Sequence, residues 1–88
     1  MQRHVLIVDD DRSTCRLVEL GLGPEGFRVS SATSGPDALQ LLEAEDIDVV
    51  LTDLNMSGMS GIDLCQEIAQ RHANVPVIVV TAFGSMES

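Results

Sequence analysis

The sequence predicts an α/β fold, a doubly wound parallel sheet with helices on both faces. Three observations carry this. Val5-Leu6-Ile7-Val8, Val49-Val50-Leu51-Thr52 and Val77-Ile78-Val79-Val80 are apolar runs of the kind found in strands buried on both faces. Between them, apolar residues return every three or four positions, as on amphipathic helices. The two kinds of segment alternate, which means βαβ units and a parallel sheet.

The elements follow in order. Val5 to Val8 is the first strand, and Asp11 to Ser13 supplies N-cap chemistry for a helix on which Thr14, Leu17, Val18, Gly21 and Leu22 recur. Gly23-Pro24-Glu25-Gly26 stops it. Phe27 to Ala32 reads as a second strand. Ser34-Gly35-Pro36-Asp37 opens a second helix, with Pro36 tolerated in its first turn and Ala38, Leu41, Leu42 and Glu45 marking its faces. Asp48 to Thr52 is the third strand, and the glycines and serines of Asn55 to Gly61 mark a loop. Ile62, Cys65, Ile68 and Ala69 stripe a third helix that ends near His72. Asn74-Val75-Pro76 leads into the strand Val77 to Val80, and Gly84 to Glu87 reads as the start of a fourth helix.

The 88 residues are read as one domain, 1–88. Hydrophobic residues make up 44%, and the aromatics are only Phe27 and Phe83, so the core is built of Val, Ile, Leu and Ala. The net charge of −9 argues against direct nucleic-acid binding, which needs a basic face, and suits cations or basic protein surfaces. Cys15 and Cys65 have no metal-ligand spacing and read as reduced thiols inside helices. The lack of a leader or a membrane-length apolar run predicts a cytoplasmic protein without a membrane partner. The five basic residues are all arginine; there is no lysine.

In a parallel sheet, equivalent strand ends lie side by side. Asp9-Asp10-Asp11 ends the first strand, Asp53 the third, and Thr81-Ala82 the fourth. The predicted result is an acidic pocket beside a hydroxyl at the edge where such sheets bind ligands. Carboxylates this close repel unless a cation or a proton neutralises them. Asp11 reads as a helix N-cap. His4 and His72 read as surface histidines, and Met56, Met59 and Met86 as loop and packing residues.

The pattern VDDD, then TDLNMSGMSGIDL, then VPVIVVTAFGSMES resembles a response-regulator receiver (CheY-like) domain, and TAFGSMES resembles the receivers of NtrC-type transcriptional activators. The resemblance implies a flavodoxin-like strand order 2-1-3-4. It implies that Asp53 is the phospho-acceptor and that Asp9 and Asp10 are the acid pair, with Asp10 the direct Mg²⁺ ligand. It implies further that Asp53 and the backbone carbonyl of Asn55 complete the protein's Mg²⁺ ligands, that Thr81 is the switch hydroxyl, and that Ala82 keeps the pocket open. The implied role is a phospho-accepting signalling switch rather than an enzyme, fed by a sensor histidine kinase and read by an output domain of the same parent protein.

The sequence also departs from the family. Ser57 stands where proline is usual, and Ser60 where aspartate is common. The family continues through a fifth strand, with a lysine at its end, and a further helix; both are expected to be absent here. Val77–Val80 is then an apolar sheet edge, open to pairing with another copy or to exchange of elements between chains. Two other functions compete. One is a receiver-like interaction or assembly module without phosphotransfer. The other is a phosphatase of the haloacid-dehalogenase type, in which Asp9 attacks and Asp11 serves as acid/base.

Overall fold

The computed structural model of the chain describes residues 2–54, 56 and 58–80. Among these residues four strands, β1 (His4–Val8), β2 (Arg28–Ala32), β3 (Val49–Asp53) and β4 (Val77–Val80), alternate with three helices, α1 (Arg12–Leu22), α2 (Gly35–Ala44) and α3 (Gly61–Arg71). A single 3₁₀ turn, Gly23–Glu25, follows α1. Each pairing between these four strands is parallel and the order is β2-β1-β3-β4. This is the order the family resemblance implied.

β1 is buried along its whole length, as its unbroken apolar run requires. Its even-numbered side chains and those of β3 form one face. There Leu6, Val8, Val50 and Ala32 meet Ala38, Leu39 and Leu42 of α2, Leu64 and Ile68 of α3, and Ile47. Burying each large aliphatic side chain contributes about 1.5–3 kcal/mol relative to exposure. The other face carries Val5 and Ile7, also buried, under α1 with its buried Cys15. Farther along that face, Ile78 is 52% exposed.

Each helix begins on a side-chain cap. Asp11 Oδ1 accepts from the amide of Ser13 at 2.9 Å, Ser34 Oγ from Asp37 at 3.2 Å, and Ser60 Oγ from Asp63 at 3.1 Å. Such a cap satisfies an otherwise orphaned amide and contributes about 1 kcal/mol.

The structure corrects several expectations. β1 begins one residue early, at His4. β2 begins at Arg28, because the Phe27 amide donates to Leu22 O at the end of α1 instead of joining the ladder. β3 runs from Val49 through Asp53, since Asp53 pairs with Val80. Leu17 on α1 and Ile62 on α3, both placed in the apolar stripes of their helices, are 69% and 50% exposed. Apolar residues are scattered around both helices, and a one-residue error in choosing the face rotates it by about 100°.

His4 is not a surface histidine; it is buried. Its backbone amide donates to Asp48 Oδ2 at 2.7 Å. Its ring Nδ1 lies 3.1 Å from Asp46 O, and its Nε2 lies 2.7 Å from Ser30 Oγ, whose hydroxyl donates to Glu45 Oε1. This network ties β1 to β2 and to the α2–β3 connection, at the sheet end away from the aspartates. His72 is half-buried at the C-cap of α3, with Nε2 3.2 Å from Glu43 Oε2. Met56 and Met59 pack against the core as expected. The helix expected from Gly84, and Met86 within it, lie outside the described residues.

Candidate functional site

The β1–β3 register builds the site. Val5 pairs with Val49 and Val8 with Thr52, so the residues that follow, Asp9 and Asp53, emerge side by side at the carboxyl ends of adjacent strands. Asp10 joins them from the loop into α1. One carboxylate oxygen from each of Asp9, Asp10 and Asp53 lies within 4.8 Å of the others. Asp9 and Asp53 are half-buried and Asp10 is exposed.

These carboxylates border a cleft of about 320 Å³ whose wall is apolar, formed by Ile7, Leu51 and Val80. Burial in that setting pushes the Asp9 carboxyl above the usual range. The Asp11 amide, donating to Asp9 Oδ1 at 2.9 Å, pulls it back, and the charges of Asp53, Asp10 and Asp11 push it up again. A cluster of hard oxygen donors with mutual repulsion suits a hard divalent cation. The donor set therefore fits Mg²⁺ chemically.

Asp11 lies beside the cluster, but its carboxylate caps α1. Asn55, Thr81 and Ala82, the other site residues inferred from the resemblance, lie outside the described residues, as does Ser57.

Sequence reasoning passed over three contributors. The apolar wall was implicit in strand alternation, because Ile7 pairs with Leu51 and Val80 with Asp53 on one face. Thr52 is fully buried, and its hydroxyl donates to Asp53 O at 3.1 Å; a polar residue in an otherwise apolar strand was its signal. Gly61 packs against the backbone of Asp53, and its signal was a glycine directly after a capping serine.

A family model for the response regulator receiver domain matches residues 5–88. The chain belongs to the response regulator receiver domain family. Phosphorylation and Mg²⁺ are general to such receivers, which are signalling domains. The receiver is 42% identical over 83 residues to the transcriptional regulatory protein GlrR of Escherichia coli, covering 94% of this chain and 19% of GlrR. It is 39% identical over 87 residues to the response regulator protein PilR of Pseudomonas aeruginosa, covering 99% of this chain and 20% of PilR. The chain thus spans about a fifth of the length of these curated relatives, which are NtrC-type regulators. In structure it resembles the response regulator TrrA of Thermotoga maritima, solved in complex with Mg²⁺-BeF. The TM-score is 0.88 at 28% identity, over 98% of this chain and 75% of TrrA. Among the described residues, no helix is long and apolar enough to cross a membrane.

Proposed function

We propose that residues 1–88 act as one receiver unit that accepts a phosphoryl group on Asp53 in a Mg²⁺-dependent reaction. The observation that carries this reading is the convergence of Asp9, Asp10 and Asp53 at the carboxyl ends of β1 and β3. Asp9, Asp10, Asp53 and the carbonyl of Asn55 would hold the ion, and when bound it supplies neutralising charge in the pocket. A carboxylate oxygen of Asp53 forms the new bond to phosphorus, while the bond from phosphorus to the donor breaks and its electron pair leaves with the donor. Such a transfer depends mainly on positioning and charge neutralisation. The product is an acyl phosphate, a new anion that the Thr81 hydroxyl would hydrogen-bond, coupling the local charge to packing after β4.

The donor in this reading is a sensor histidine kinase in the cytoplasm. The reader is an output domain of the parent protein, transcriptional by analogy with GlrR and PilR. Among the described residues β4 is the edge strand and exposes Ile78 and Val80, which favours a second mode, pairing with another copy or element exchange, that would also serve an assembly module without phosphotransfer. Family membership and the capping role of Asp11 leave the phosphatase reading without support.

Intact mass after incubation with acetyl phosphate and Mg²⁺, beside Asp53→Asn, tests the proposal. A single phosphoryl adduct that the variant lacks is the expected result. A folded protein that gains no adduct would favour the assembly module.

A further inference from the structure

We propose that Gly61 is a positioning residue for Asp53, because its missing side chain lets the first turn of α3 lie directly on the backbone of the acceptor. The inference rests on the phospho-acceptor reading above.

Gly61 is buried at the first helical position of α3, directly after the capping Ser60. Its amide donates to Leu54 O at 3.0 Å. A Cβ built on it would stand 3.0 Å from Leu54 Cα and 3.1 Å from Asp53 C, and would collide with Asp53 O. All three are backbone atoms, so no rotamer change could relieve the overlap. Conformational freedom does not explain the glycine, since among the described residues only Gly26 and Gly58 have positive φ. Helix propensity would favour alanine. Space is the remaining reason.

The same carbonyl oxygen of Asp53 accepts the Thr52 hydroxyl at 3.1 Å. Asp53 O is thus held by the Thr52 hydroxyl, and the next carbonyl, Leu54 O, by the amide at the helix start. The Asp53 carboxylate leaves this strand end toward Asp9 and Asp10. Mg²⁺ demands near-ideal octahedral geometry, whereas Ca²⁺ tolerates irregular sites. Displacing the end of β3 should therefore weaken Mg²⁺ more than Ca²⁺.

The chain contains its own control. Gly35 also follows a capping serine, Ser34, at the first position of α2. The three atoms nearest a Cβ there all belong to the side chain of Met59, not to backbone.

The test compares Gly61→Ala and Gly35→Ala in the full chain by calorimetric titration with Mg²⁺ and with Ca²⁺, alongside thermal unfolding. We expect G61A to lose about tenfold in Mg²⁺ affinity, with a lowered Mg²⁺-to-Ca²⁺ ratio, and G35A to stay within about twofold of the parent. A folded G61A with the parental ratio overturns the proposal. If G61A does not fold, the ratio is read on Thr52→Val, which frees the same carbonyl without adding an atom to the contact. A lowered ratio there supports the proposal and an unchanged ratio overturns it. A parent protein that binds Mg²⁺ but takes no phosphoryl group would fail the function reading, whatever Gly61 does.

Discussion

The backbone amide of Asp11 donates to Oδ1 of Asp9 at 2.9 Å. The loop that starts α1 thereby fixes one oxygen of the Asp9 carboxylate and leaves the other for a ligand. The bond offsets only part of what burial and three neighbouring negative charges impose, so the Asp9 carboxyl stays above its ordinary value of 3.8.

That shift has a sign. A carboxyl whose folded pKa is raised binds its proton more tightly in the native state, so its ionisation destabilises the fold. The penalty sets in as pH rises above the unfolded value and is complete above the folded one. Without divalent cations, Asp9→Asn should therefore melt at a higher temperature than the parent at neutral pH. The difference should shrink as pH falls toward 3.8. Thermal unfolding in a chelator from acid to neutral pH measures it, and a difference independent of pH would contradict the cause.

Cation binding should reverse the penalty. A ligand at a hundred times its dissociation constant stabilises the native state by about 2.7 kcal/mol. For a domain of this size that raises the melting temperature by about 10–20 °C. Asp10→Asn and Asp53→Asn should each lose most of the rise, whereas Asp63→Asn, in the first turn of α3, should keep it.

The two thiols should differ in reactivity. Cys15 is buried, burial first and the Asp9 charge second push its pKa up, and its sulfhydryl donates to Asp9 O at 3.5 Å. Cys65 is only half-buried. In the native protein a thiol-specific disulfide reagent should label Cys65 first and reach Cys15 on the timescale of unfolding. Cys65→Ser should remove the fast phase.

The two helix faces give a stability contrast. Leu64→Ala removes a fully buried side chain beneath the sheet and should cost about 2–5 kcal/mol. Leu17→Ala alters a side chain that is 69% exposed and should change stability by less than about 0.5 kcal/mol. Denaturant melts of both variants would show whether α1 presents the face described.

The sheet and the acidic cluster were legible because both follow from one regularity. Strands of a parallel sheet end together, so an aspartate after Val8 and another after Thr52 had to meet. The cap at Asp11 was readable from local chemistry. The burial of His4 was not, because it depends on Ser30, Glu45, Asp46 and Asp48, partners 26 to 44 residues away that no local pattern connects. The outward turn of Leu17 was hidden because its neighbour Val18, which lines the cleft, is equally apolar. Gly61 resembled an ordinary loop glycine until the position of Asp53 O was known.

β1 lies between β2 and β3, and all five of its side chains are buried. Its amides can meet solvent deuterium only when the whole sheet comes apart. Exchange at Leu6 and Ile7 is thus a gauge of global opening built into the domain. Slower exchange there on adding a cation would give the binding free energy directly, with no need for denaturant. Slowing confined to the first turns of α1 and α3 would instead mark local tightening around the aspartates.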